Sequence, residues 1–158
     1  MQITIRKIRS DEWDDMISLV WRTFLKFEAP QFEEEGIRSF MEFISDERLK
    51  KLFEIGEYPV FAAYADQRMA GTISLRNDCH VSLLFVAEAF QKKGIGRLLV
   101  NRAEEYVRND TQKNCLTVNA APYATEFYHR VGFEDTEPQK HQDGIIFTPM
   151  IKLLTQRL

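Results

Sequence analysis

The chain has 158 residues, 44% of them hydrophobic and 28% charged, with a formal net charge of −3 and a pI of about 5.7. That length suits a single domain, 1–158, with a real core. The acidic balance argues against a general nucleic-acid binder, which carries a basic excess. No apolar run approaches the roughly 18 residues of a membrane span, and the N-terminus lacks the apolar stretch of a secretory signal. Cys79 and Cys115 make neither a disulfide framework nor a metal set, so the composition reads as a cytoplasmic protein without a metal or membrane partner.

Ile3-Thr-Ile-Arg-Lys-Ile alternates with period two and predicts a first strand. Ser10 is placed to cap the next helix, where Trp13, Met16, Ile17, Val20, Phe24 and Phe27 recur at helical spacing until Pro30 breaks the pattern. A second helix carries Ile37, Phe40, Met41 and Ile44 on one face, and Asp46 caps a short third one running through Phe53. Val60 to Ala65 and Met69 to Leu75 read as a hairpin around the polar turn at Asp66, followed by a strand from His80 to Val86. Ile95, Leu98, Leu99, Ala103, Tyr106 and Val107 then form a helical stripe. Leu116-Thr-Val is a strand ending at Asn119. Pro122 opens a helix bearing Ala124, Phe127, Tyr128 and Val131, and Gly132 suits its left-handed end. Phe133 starts a further strand. Gly144 to Met150 closes the sheet, with Pro149 implying an edge or a strand end. Hairpins beside β-α-β units make the fold class α/β (α+β), with a mixed sheet of about seven strands flanked by helices.

The most informative short stretch is Gln91-Lys-Lys-Gly-Ile-Gly-Arg97, between a strand and an amphipathic helix. Gly94 and Gly96 let backbone N–H groups approach a ligand, and the helix N-terminus favours phosphate. Lys92, Lys93 and Arg97 add positive charge, so a pyrophosphate is the natural guest. The loop lacks the Gly-Lys-Ser/Thr ending of a Walker A motif. It also lacks the third glycine and the acid of a dinucleotide-binding oxidoreductase. An ordinary helix start after a loop would look much the same.

Together with this loop, Asn119-Ala-Ala-Pro-Tyr-Ala-Thr-Glu-Phe-Tyr-His-Arg-Val-Gly-Phe133 completes a pair of motifs. The chain resembles the GCN5-related N-acetyltransferase (GNAT) superfamily, whose coenzyme motif is Gln/Arg-x-x-Gly-x-Gly/Ala. The ending Gly144-Ile-Ile-Phe-Thr-Pro-Met150 resembles its small bacterial and archaeal members. The resemblance implies a GNAT-like acyl-CoA N-acyltransferase fold, mostly antiparallel, and an acetyl-CoA-dependent transferase that acetylates a primary amine by direct attack in a ternary complex. It implies that backbone groups of Leu84, Phe85 and Val86 pair with the pantetheine arm, and that Gln91, Lys92, Lys93, Gly94, Ile95, Gly96 and Arg97 hold the pyrophosphate. Tyr128 matches the tyrosine that protonates the leaving sulfur. Asn119 either bonds the pantetheine or simply ends a strand. His80 lies eleven residues before Gln91, where one branch of the family places a glutamate base; it is either that base or a structural histidine. No covalent intermediate on a cysteine is expected.

The acceptor is less determined. From Glu28 to Glu57 the chain holds nine acids and four bases, and Glu28, Glu33, Glu34 and Glu35 would attract a cation. A polyamine, an amino sugar, a peptide N-terminus or a lysine all fit. A catalytically idle acyl-CoA-binding module is the alternative, keeping the loop without needing Tyr128 or a base. A late strand edge is compatible with a homodimer.

Overall fold

Alternation along Val60–Ala65 decides how the sheet is buried. Phe61, Ala63 and Ala65 belong to one core, while Val60, Ala62 and Tyr64 belong to another on the opposite face. A strand buried on both sides needs helices on both, and the computed structural model, which describes residues 1–155, supplies them. In chain order the elements are β1 (Ile3–Lys7), α1 (Trp13–Phe27), α2 (Glu34–Ser45), α3 (Glu47–Glu54), β2 (Val60–Ala65), β3 (Arg68–Arg76), β4 (His80–Val86) and α4 (Ile95–Asp110). There follow β5 (Cys115–Ala120), α5 (Thr125–Arg130), β6 (Glu134–Asp135), β7 (Lys140–Gln142) and β8 (Ile145–Leu153).

The sheet runs β1-β2-β3-β4-β5-β8-β6, with β7 also paired to β8. Every described pairing is antiparallel except β4 with β5. Met16, Val20 and Phe24 of α1, Ile44 of α2 and Leu49 of α3 cover one face; Ile95, Leu99, Ala103 and Val107 of α4 and Tyr128 of α5 cover the other. The mixed, mostly antiparallel sheet flanked by helices is as expected, with the short β7 as an eighth strand.

Three local expectations change. Ser10 does not cap α1. It opens a short 3-10 turn in which the Glu12 carboxyl accepts from the Arg9 N–H at 2.8 Å, and α1 itself begins without a side-chain cap. Leu98 is exposed and Val100 takes its place on the buried stripe of α4. Pro149 is not at an edge: β8 lies between β5 and the outer strands, with Pro149 opposite Asn119. Its carbonyl accepts from Thr136 N–H at 2.9 Å, between the stretches paired with β6 and β7, so the missing donor falls in a gap of the ladder. By contrast, Asp46 caps α3 as expected, accepting from Arg48 N–H at 2.9 Å. Gly132 takes the left-handed end of α5 at φ 103°.

Candidate active site

The site begins with one extra residue. Leu75 of β3 pairs with Val81 of β4, but the next residue, Ser74, pairs with Leu83, which leaves Ser82 as a bulge. A bulge reverses which side chains face which way. Val81 packs in the α4 core, whereas Leu83 and Phe85 pack in the α1 core. The bulge also bends β4 away from β5, and those two strands pair only at His80 with Thr117 and Val81 with Val118. Beyond Val81 they diverge. Tyr58 pins the bend from below, its hydroxyl 2.7 Å from the Ser74 hydroxyl and donating to that of Ser82 at 2.9 Å.

The glycine loop stands at the open end of this divergence. The Gln91 side-chain amide donates to the Val86 carbonyl at 2.9 Å, tying the loop to the end of β4. Lys92 has φ 61° and Gly94 φ 80°, so the chain turns through two left-handed residues before α4. A non-glycine residue held there costs about 1–3 kcal/mol and is a mark of functional loops. A Cβ at Gly94 would meet nothing within 4 Å, so the space before the first turn of α4 is open. Gly96 is different. A Cβ there would lie 2.9 Å from Phe127 Cε1, so this glycine serves the packing of α4 on α5.

A cleft of about 380 Å³ results, lined by Leu84 and Val86 of β4, by the loop and by Tyr123, Phe127 and Tyr128. A second cavity of about 230 Å³ lies on the other side of the divergence, between β4 and β5 and beneath α1, α2 and β8. The two share four residues, Leu84, Tyr123, Ala124 and Tyr128.

Tyr128 is the buried residue at this junction, at 5% exposure. Its ring is edge-on to Phe127 and Phe133, with centroids 5.3 and 5.2 Å away. Burial first, then the nearby Glu28 and Tyr123, push its phenol above the usual value, so it keeps its proton. Tyr123 stacks on Phe27 at 6.0 Å, and its phenol is likewise raised by burial and by Glu28. Glu28 closes α1 and lines the second cavity. Burial without a compensating partner raises its carboxyl to about 7.

Of the residues singled out from sequence, Leu84, Val86, Gln91, Lys92, Gly94, Ile95, Gly96, Arg97 and Tyr128 line the larger cleft. Phe85 and Asn119 line the smaller cavity, which Leu84 and Tyr128 also reach. Lys93 is exposed and lines neither. His80 also lines neither. It sits on the paired stretch of β4 before the bulge, its Nδ1 2.8 Å from the Thr117 hydroxyl, and burial lowers its imidazole to about 4. Cys79 and Cys115 face each other with sulfurs 3.9 Å apart, away from both cavities, and burial raises the Cys79 thiol to about 11.

Glu28, one of four acids expected from sequence to attract a cation, lines the smaller cavity, and Tyr123 is the site residue that sequence reasoning passed over. A further signal set Glu28 apart from the other three acids: a carboxylate at a helix C-terminus is where the helix dipole disfavours it. Among the described residues no group of three or more His, Cys, Asp or Glu is placed to hold a metal, and no helix is long and apolar enough to cross a membrane.

The family model for the acetyltransferase (GNAT) domain matches residues 28–154. A curated relative, an uncharacterised N-acetyltransferase of Methanocaldococcus jannaschii, is 28% identical over 142 residues; these cover 87% of this chain and 63% of that protein. The chain thus spans less than two thirds of that relative's length. Among solved structures, a GCN5-related N-acetyltransferase of Rhodopseudomonas palustris superposes with a TM-score of 0.82 at 19% identity, covering 98% of this chain and 97% of the other. The PaiA N-acetyltransferase of Thermoplasma acidophilum, solved in complex with coenzyme A, gives 0.78 at 22% identity, covering 97% and 99%.

Proposed function

The chain belongs to the GNAT acetyltransferase family, and on that premise we propose that it moves an acetyl group from acetyl-CoA to a primary amine by direct attack, with both substrates bound. The observation that supports this most is the shared wall of the two cavities. A donor in the cleft and an acceptor in the smaller cavity would meet at Leu84 and Tyr128.

In this reading the pyrophosphate of acetyl-CoA lies over the open space at Gly94, against the first turn of α4, with Lys92 and Arg97 beside it. The pantetheine arm runs along β4 from Val86 to Leu84, where β5 has diverged and leaves β4 without a strand partner on that side. Asn119, at the end of β5, bonds to the arm or to a water beside it. The neutral amine attacks the thioester carbon, and a backbone N–H of β4 polarises the carbonyl oxygen as it gains charge. The carbon–sulfur bond then breaks, and the departing thiolate takes the proton of Tyr128. The buried phenol keeps its proton at working pH, so it has one to donate to the sulfur as negative charge develops there. The attacking nitrogen gives up its surplus proton, which restores the Tyr128 hydroxyl, and the products are an amide and the free thiol.

The test is thermal unfolding with acetyl-CoA, with NADH and ATP as controls, followed by thiol release across a panel of amines. A ligand that binds only the folded state raises its stability in proportion to ln(1 + [L]/Kd). A shift with acetyl-CoA alone, then thiol release with an amine, supports the transferase. A shift with no thiol release from any amine would instead support an acyl-CoA-binding module, and no shift at all would remove the coenzyme.

A further inference from the structure

The smaller cavity has a wall of unusual chemistry. Phe32, Phe40, Phe85 and Phe147 line it together with Ile145 and Ile146, contributed by the turn after α1, by α2, by β4 and by β8. Among the described residues Glu28 is the only formally charged side chain on that wall, and its polar companions are hydroxyls and an amide: Ser82, Asn119, Tyr123 and Tyr128. Of the four acids expected from sequence to form a cation-attracting mouth, Glu28 lines it and Glu33, Glu34 and Glu35 do not. Glu33 faces His141 across the surface, 3.2 Å away. At about 230 Å³ the space is smaller than the roughly 300 Å³ at which drug-sized pockets begin.

We propose that the acceptor is a small primary monoamine with an apolar, aromatic or branched body, its ammonium held by the Glu28 carboxylate and its body by the phenylalanines of this cavity. The assignment rests on the acetyl-transfer reading above. One carboxylate in an otherwise apolar pocket can neutralise one ammonium. A second ammonium on the same ligand would be stripped of water with no partner, which costs several kcal/mol. A polyamine, an amino sugar with its ring of hydroxyls, or the charged backbone of a free amino acid leaves polar groups unpaired there; an aromatic or branched hydrocarbon body does not.

Glu28 also answers where the ammonium's proton goes. It lies beside Tyr128, the residue at the junction with the donor cleft, and close enough that its charge raises that phenol. The titratable groups facing it are Tyr123 and Tyr128, and among the described residues no Lys, Arg or His lines the cavity. A carboxyl at about 7 is partly ionised at neutral pH, so it both attracts the ammonium and accepts a proton from it. His80, tied to Thr117 on the paired stretch of β4, lines no part of the cavity.

The experiment titrates the protein, saturated with coenzyme A, with 2-phenylethylamine and with spermidine in a calorimeter, and repeats both with Glu28→Gln and Phe147→Ala. 2-Phenylethylamine is expected to bind at least tenfold more tightly than spermidine. Glu28→Gln, which preserves volume, should weaken it tenfold or more with a melting temperature no lower than the parent's, and Phe147→Ala should weaken it severalfold. Equal or tighter binding of spermidine would overturn the assignment. So would binding of 2-phenylethylamine that ignores both substitutions, or coenzyme A binding with neither amine following. The transfer reading fails differently: 2-phenylethylamine would bind as described, yet acetyl-CoA would release no thiol when mixed with it.

Discussion

Gly96 offers the sharpest test of how the cleft is built, because its role follows from a single distance. A Cβ there would lie 2.9 and 3.0 Å from Cε1 and Cζ of Phe127, against an ordinary carbon–carbon separation of about 3.5 Å. Gly96→Ala therefore forces the ring to retreat by roughly half an ångström, and any retreat disturbs its edge-to-face contact with Tyr128. Crowding of this kind costs about 1–3 kcal/mol, while replacing glycine by alanine in a helix returns up to about 1 kcal/mol. The net expectation is a loss of about 1 kcal/mol, a fall in melting temperature of roughly 2–4 °C for a domain of this size. Phe127→Leu removes the outer ring atoms and with them the clash. In that background Gly96→Ala should be neutral or stabilising, so a double-mutant cycle read by urea unfolding should give a coupling of about 1–2 kcal/mol. If Gly96→Ala costs the same with Phe127 and with Leu at that position, the packing argument is refuted.

Other substitutions probe neighbouring parts. Tyr128→Phe keeps the ring contacts and removes the proton; we expect kcat for acetyl transfer to fall by roughly 10²–10⁴-fold with coenzyme affinity nearly unchanged, and a kcat within twofold of the parent would remove Tyr128 from the mechanism. Gly94→Glu, at φ 80° in open space, should abolish acetyl-CoA binding by calorimetry, because it sets a negative charge against the phosphates; retained affinity would move the pyrophosphate elsewhere. Glu12 predicts an acid limb of stability. Hydrogen bonds from Arg6, the Arg9 N–H and Tyr64 hold its carboxyl at about 2. The contribution is present above the unfolded value of about 4.3 and lost as pH falls toward 2. Melting temperature should drop across that window in the parent, and less steeply in Glu12→Gln.

The parts of the fold legible in sequence are those set by local chemistry. Strand β2 shows its bounds because turn residues flank six apolar or small ones. The turn into α4 shows because left-handed geometry and helix-end phosphate binding both require particular residues at fixed spacing. Pro149 misled because the donor it lacks is excused by a gap between two very short strands, one of which, β7, is exposed throughout and carries no apolar pattern. Eleven residues before Gln91 did fall on β4 as expected. The smaller cavity, however, begins one residue later, at Val81 and the bulged Ser82, while His80 itself is tied to Thr117 on the paired stretch. Glu28 was legible only as one of four acids, because Tyr123 and Tyr128, which line the same cavity and set it apart from Glu33, Glu34 and Glu35, lie about a hundred positions later in the chain.

The divergence of β4 from β5 makes the sheet a structure with a seam. On one side stand β1 to β4, on the other β5, β8 and the short outer strands, and only two residue pairs stitch them together. Helix α4 packs against both groups and acts as the splint. Protection against amide exchange should therefore be uneven along one strand, high at Val81 and low toward Val86 on the side facing β5. A coenzyme arm lying in the seam would supply the missing rung and raise protection there without moving the rest. The same seam marks a place to divide the chain. Residues 1–110 and 115–155 each keep their own strand pairings, so two fragments cut in the exposed turn after α4 have what they need to find each other again, with the donor cleft assembling only when they do.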